Sequence, residues 1–202
     1  MIAVIMSVVV LVIVVIPGYS AAFDSSFRYN HQNARTFGMG RSGVAWVTGV
    51  SALYQNPAGI HAGGHRHNQQ VMISRYDQLE SRMTVMGAVR KSQYVTLGIG
   101  YSNTYSGGGE VGTYDASINR VVLTGKTFDY NGDMVSLMLA GAINKSTNLG
   151  LIFHTLQEKM YHASSTGMSL DIGIQQSILG GLLEWGAVER NIMSRIKWSN
   201  QN

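Results

Sequence analysis

Three histidines crowd one short stretch, His61-Ala62-Gly63-Gly64-His65-Arg66-His67. Imidazoles this close are the donor set of a zinc or copper site. However, no carboxylate lies near enough in sequence to orient them, and Arg66 sits between two of them. The reading is three polar residues in a glycine-rich loop, with no metal expected. Gly125-Lys126-Thr127 mimics the end of a phosphate-binding loop, but that motif needs glycine five residues earlier, where Arg120 stands. No strand-to-helix pattern surrounds it. The chain has no Gly-x-Ser-x-Gly elbow, no His-Glu-x-x-His helix and no evident Ser/His/acid grouping, and its 11 acids are scattered. No catalytic residue, enzyme activity or cofactor is expected.

The composition points elsewhere. Charged residues make up 13% of the 202 positions, against ~25% in soluble domains, and there are 24 glycines. A chain this poor in charge suits a wall between lipid and a small-residue or polar interior. With no cysteine, disulfide scaffolds, thiolate metal sites and cysteine nucleophiles are excluded. The net charge of +4 is unevenly placed: Arg28, Arg35, Arg41, Arg66 and Arg75 face only Asp24 between Phe23 and Tyr76. The basic residues neither interleave with aromatics nor form a recognition helix, so nucleic acid is not an expected partner. A solvated basic segment is the plain reading, and an anionic ligand or lipopolysaccharide the sharper one.

Ile2 to Ile16 is apolar but for Ser7, and Pro17-Gly18 and Ser20-Ala21-Ala22 follow. That run is too short for a spanning helix and fits a signal-peptide core cleaved after Ala22, although no Lys or Arg precedes it. Residues 1–22 are therefore expected to direct export. An uncleaved anchor is the alternative.

From Phe23 to about residue 69 no period of 2 or 3.6 persists, and this segment is expected to be an irregular plug. Within it, Ala34-Arg35-Thr36-Phe37-Gly38-Met39-Gly40 is followed by Ser51-Ala52-Leu53-Tyr54-Gln55-Asn56-Pro57-Ala58-Gly59. This pair of motifs resembles the N-terminal signature of the FadL-like outer-membrane barrels, which transport long-chain fatty acids, and of the related PorV/PorQ proteins of type IX secretion. Gly49-Val50 replaces the Asp-Ala usual before Ser51. The resemblance covers residues 34 to 60 by motif and the rest by pattern. It implies a plugged barrel whose Gly38, Met39, Gly40, Asn56, Pro57, Ala58 and Gly59 shape the plug or gate a ligand. Physically, Pro57 fixes φ, Asn56 is pushed extended and Gly59 allows reversal.

Beyond residue 70 the period becomes 2. Seven strands are expected: one on Val71, Ile73 and Arg75, a second on Met83 to Val89, and a third setting Val95, Leu97, Ile99 and Tyr101 against Thr96, Gly98, Gly100 and Ser102. A fourth carries Val135 to Ile143, a fifth Leu149 to Phe153, a sixth Met168 to Ile174, and a weaker seventh runs from Leu182 to about Glu189. The second face is small and polar rather than charged, as a plugged lumen requires. Gly98 and Gly100 mark either room for the plug or a strand kink, and by analogy with fatty-acid transporters a kink there would be a lateral exit. Short links are expected at 90–92, 144–148 and 177–181, and longer loops at 103–131 and 159–165, the alternation of an outer-membrane barrel. A soluble sandwich is the alternative fold.

Seven strands do not close a bacterial single-chain barrel, which has an even number. Residues 70–202 are therefore expected to be the N-terminal half of a barrel in a longer or truncated protein. Outer-membrane lipid is the expected surround, with a hydrophobic small molecule or a secreted protein as partner. Transport of the former is the leading expectation, and assistance to secretion the second.

Overall fold

The computed structural model describes residues 34–40, 42–62 and 68–200. The leader over 1–22 with its cleavage point, and Arg28, Arg41, His65, Arg66 and His67, lie outside the described residues. The fold is all-β. Seven strands, β1 (Gln69–Gln78), β2 (Ser81–Lys91), β3 (Val95–Asp115), β4 (Arg120–Asn144), β5 (Thr147–Met160), β6 (Ala163–Ile178) and β7 (Leu183–Asn200), form one antiparallel sheet in sequence order. Among the described residues the sheet is open, with β1 and β7 at its edges.

Register explains the composition, because residues paired across every strand share a face. On the outer face one row reads Val71, Ala88, Ile99, Leu137, Phe153, Leu170 and Ile192, apolar throughout. Four residues further along β1, the row Arg75, Thr84, Asn103, Asp133, Gln157, Thr166 and Lys197 is polar throughout. Val71, Ile99, Leu137 and Phe153 of the apolar row stand in the open, Val71 at 74% and Leu137 at 54% exposure, and Ala88, Leu170 and Ile192 are half-buried. The inner face is the buried one, yet it carries Thr96, Ser102, Ser136, His154, Glu158, Ser169 and Asp171 beside Met134, Met138 and Ile152. Only β2 reverses this: its apolar set, Met83, Val85 and Val89, faces inward.

Two expected loops are corrected. Residues 103–131 are a continuous hairpin, β3 pairing β4 out to Asp115 and Arg120. The glycine run that reads as a loop instead holds a bulge of β3 at Gly107-Gly108, and a second register shift follows where Thr124 to Lys126 of β4 face Val111; each breaks the alternation without ending the strand. The 159–165 loop is a tight turn at Tyr161-His162, since Met160 already pairs Ala163. β7 also outruns its expected end at Glu189 and continues to Asn200. Two bulges opposite Leu170, with Asn191 at φ 62° and Met193 at φ 56°, shift its parity there.

Candidate functional site

The segment 42–62 lies across the inner face and touches the sheet from β7 to β1. Its local structure is two tight 3-10 turns, Gly49–Tyr54 and Pro57–Ile60, preceded by a helical turn at Ala34–Gly38. Asn56 caps the second turn: its extended backbone, forced by the following proline, lets its Oδ1 accept from the Ala58 N–H at 3.1 Å. The same side chain donates through Nδ2 to the Val44 carbonyl at 2.7 Å and to the Ile174 carbonyl of β6 at 2.9 Å. One buried amide thus closes the turn, ties it to the preceding loop and fastens both to the wall.

The wall is cut to receive this segment. A Cβ at Gly87 would meet Leu53, one at Gly150 the backbone of Pro57 and Ala58, one at Gly173 the Asn56 side chain and Pro57 ring, and one at Gly186 the Val44 carbonyl, each closer than 3 Å. Gly98 and Gly100 belong to the same seat: Leu53 lies 3.3 Å from the would-be Cβ of the first, and the Tyr54 hydroxyl 2.7 Å from that of the second. β3 pairs both neighbours without a register shift from Val95 to Ser106, so the strand is unbroken at these glycines. Gly59 turns against the Val47 carbonyl within the segment itself.

Polar latches run around this seat. Arg190 of β7 donates to the Gln55 carbonyl at 2.7 Å, and Gln175 of β6 donates to the carbonyls of Ala45 and Val47. The Val50 N–H donates to the Gln70 side chain at 3.0 Å, and His61 Nδ1 meets the Thr96 hydroxyl at 2.9 Å. The Tyr54 hydroxyl donates to the carbonyls of Met86 and Tyr101. Burial pushes its phenol well above the ordinary range, so it stays neutral and remains a donor.

The motif residues divide. Asn56, Pro57, Ala58 and Gly59 are all buried at the centre of the seat. Gly38, Met39 and Gly40 are exposed at the end of the helical turn, with open space around both glycines and φ +66° at Gly40. His61 is buried against Thr96, and among the described residues no group of three metal-ligating side chains assembles.

One constellation escapes the sequence. Ser136, His154 and Asp171 stand on β4, β5 and β6, facing inward: Ser136 Oγ lies 2.7 Å from His154 Nδ1, and His154 Nε2 lies 3.4 Å from Asp171 Oδ2. Asp171 Oδ1 in turn accepts the Asn191 N–H at 3.0 Å, inside the β7 bulge, next to the arginine that holds Gln55. Shared inward parity on adjacent strands was the only signal available. It becomes a contact only once the turns at 145–146 and 161–162 are known. These are the side-chain types of a nucleophilic triad, but Ser136 is fully buried. The adjoining cavity, lined by Tyr54, His154, Asp171 and Arg190, measures ≈ 20 Å³, room for about one water. The arrangement positions the bulge and its arginine; acyl transfer would need a substrate carbonyl beside the serine and donors aimed at its oxygen.

No protein-family model matches the chain, and no curated protein or solved structure matches it.

Proposed function

We propose that this chain builds part of the wall and the plug of an outer-membrane β-barrel that carries hydrophobic small molecules, exported by its leader over residues 1–22. The observation that carries the reading is the outward hydropathy: large apolar side chains stand exposed outside, while the buried inner face mixes Ser, Thr, His, Glu and Asp with Met, Val and Ile under a docked segment. A soluble sheet buries its apolar face, whereas a wall facing lipid exposes it. The apolar belt also runs obliquely to the hydrogen-bonded rows. In the row Gln69, Arg90, Leu97, Leu139, Leu151, Ile172, Glu189, the polar residues fall on β1, β2 and β7 and the apolar ones on β3 to β6. In the row Ile73, Met86, Tyr101, Val135, Thr155, Met168, Arg195, apolar and aromatic residues fill β1 to β4 and polar ones enter from β5. Strands tilted by ~40° in a barrel carry a level belt obliquely across their rows, and from β1 to β5 the two rows change in that sense. On β4 the belt from Val135 to Ile143 spans roughly 26 Å along the strand at ~3.3 Å per residue, or about 20 Å in height after tilt. Tyr101 and Tyr105 stand exposed near one margin and Tyr94 near the other.

The resemblance of the 34–60 motifs to fatty-acid transporters supplies the substrate class. Cells expressing the protein should take up a radiolabelled long-chain fatty acid faster than empty-vector cells, with the protein in the outer-membrane fraction. Correct localisation without added uptake would sink the transport reading. A second reading, a barrel that assists protein secretion, is favoured by one observation: the β3–β4 hairpin runs far past its neighbours. Co-purification with exported proteins would support it.

A further inference from the structure

Two groups of outward cations lie past the apolar belt on the side of the long hairpin, and acid meets only one of them. On β1 and β2, Arg75 and Arg82 both reach Asp77, at 2.9 and 3.1 Å. On β5 to β7, register sets Lys159, Ser164 and Ser199 in one outer row, Thr166 and Lys197 in the next, and Met168 and Arg195 in a third. On these three strands the rows hold no acid. Lys159, Arg195 and Lys197 are exposed, and among the described residues none of them forms an ion pair.

The nearest outward acids are Asp129 and Asp133 of β4, on either side of the Asn131 that pairs Lys159. Both carboxylates are engaged by donors of β3 and β4. Asp133 accepts from Tyr101 at 2.6 Å, from Asn103 at 2.9 Å and from Asn131 at 3.2 Å, and Asp129 accepts from Tyr105. Neither approaches Lys159 to ion-pair distance.

Arg195 and Lys197 are about 7 Å apart along β7, and Lys159 lies two strands across, roughly 10 Å away sideways. Between them the Ser164 and Ser199 hydroxyls touch at 2.9 Å, with Thr166 beside them. Cations and hydroxyls without a carboxylate are the donor set for phosphoryl oxygens. A small anion would gain little from charges this exposed and hydrated. What sets the pad apart is its neighbour: Met168, Phe153 and Ile172, at 50%, 42% and 37% exposure, continue from it along the wall into the belt. A ligand that uses both parts carries phosphate and hydrocarbon together.

We propose that the pad of Lys159, Arg195 and Lys197 binds the phosphate of a membrane lipid, with the acyl chains lying along Met168, Phe153 and Ile172. The inference rests on the membrane-wall reading and adds to it a lipid class and a fixed place on the wall.

The test titrates dioleoylphosphatidylglycerol into the full-length protein in dodecylmaltoside micelles, with native mass spectrometry counting the bound lipid. The first site should take it about tenfold more tightly than dioleoylphosphatidylcholine, whose choline cancels the phosphate charge. Lys159→Gln/Arg195→Gln/Lys197→Gln should erase that preference, because each cation near an anionic lipid surface is worth about a factor of five. The charge-conserving variant Lys159→Arg/Arg195→Lys/Lys197→Arg should keep it, as should Arg75→Gln/Arg82→Gln, whose arginines already pair Asp77. Glycerol phosphate, the headgroup without its chains, should not displace the lipid at equal concentration. Equal binding of the two lipids, a preference that survives the glutamine triple variant or is lost in the charge-conserving one, or displacement by glycerol phosphate would each overturn the proposal. Flotation with phosphatidylcholine vesicles reads the wall separately. Protein that floats without a lipid preference loses the pad alone, and protein that does not float loses the wall and the pad together.

Discussion

Gly150→Ala is the most direct challenge to the seat. The added Cβ would lie 2.5 Å from both Ala58 N and Pro57 O, where ordinary contact begins near 3.4 Å, so the segment must lift by about 1 Å. Backbone atoms cannot rotate away as a flexible side chain can. A lift of that size takes the Asn56 to Ile174 hydrogen bond from 2.9 Å to beyond bonding range and leaves a buried amide short of one acceptor. Overpacking costs about 1–3 kcal/mol and the lost buried bond about 1–3 more; some relaxation leaves roughly 3 kcal/mol of docking energy at stake, or about a hundredfold in the undocked population. The chain has no cysteine, so Val47→Cys, at a position 2% exposed, supplies a sole buried thiol whose maleimide labelling rate reports undocking. Gly150→Ala in that background should label about a hundred times faster, with the strand signal in circular dichroism unchanged. Gly38→Ala, which meets nothing within 4 Å, should label at the parent rate. If Gly150→Ala labels within twofold of the parent, the glycine seat does not hold the segment and the reasoning fails.

Three further outcomes follow from the same geometry. Arg190→Ala removes the donor to the Gln55 carbonyl and should raise Val47→Cys labelling about tenfold, and Asp171→Asn should give part of that effect through the Asn191 bulge; equal labelling in all three proteins would disconnect the relay from docking. Leu137→Arg, at the centre of the outer apolar row, should lower stability in phospholipid bilayers by about 2–4 kcal/mol in denaturant titrations, whereas a soluble sheet would tolerate arginine at so exposed a site. Asp77, beyond the polar row, is held below the usual carboxylate range by Arg75 first and then Arg82. A depressed carboxyl stabilises the fold above its unfolded pKa of about 4 and loses that contribution as pH falls through the folded value. Asp77→Asn should therefore increase amide exchange in the β1–β2 hairpin at pH 7 and make no difference near pH 2; a difference that persists at acid pH would argue against it. The effect is small, as for any exposed pair.

The seven strands were legible because their outer faces alternate without interruption, and period 2 is a strong signal where one face is uniformly apolar. It failed where backbone irregularity changes parity. Gly107-Gly108 on β3, Thr124 to Lys126 on β4 and the two bulges around Ile192 on β7 each displace the pattern, so a bulged strand reads as a loop or as an early end. The seat was legible only in part. Gly98 and Gly100 stood out within one strand, whereas Gly87, Gly150, Gly173 and Gly186 become parts of the same surface only through the register. Ser136, His154 and Asp171 are hidden for the same reason: nothing local distinguishes them from other polar residues at inward positions.

The two halves of the signature resembling FadL and PorV also carry different physical demands. Every side chain from Asn56 to Ile60 is buried, and Asn56 must both accept and donate: aspartate there would lose two donated bonds to Val44 and Ile174 and bury a charge, and leucine would strand the Ala58 N–H. Docking therefore specifies that half closely. Among the described residues Gly38-Met39-Gly40 makes no comparable contact; of its two glycines Gly40, at φ +66°, has a backbone reason, as the left-handed residue after a helical turn. Met39 stands 49% exposed beyond it. Whatever this half does, it does outward from the seat, and substitutions there should leave docking energy untouched while those at Asn56 to Gly59 do not.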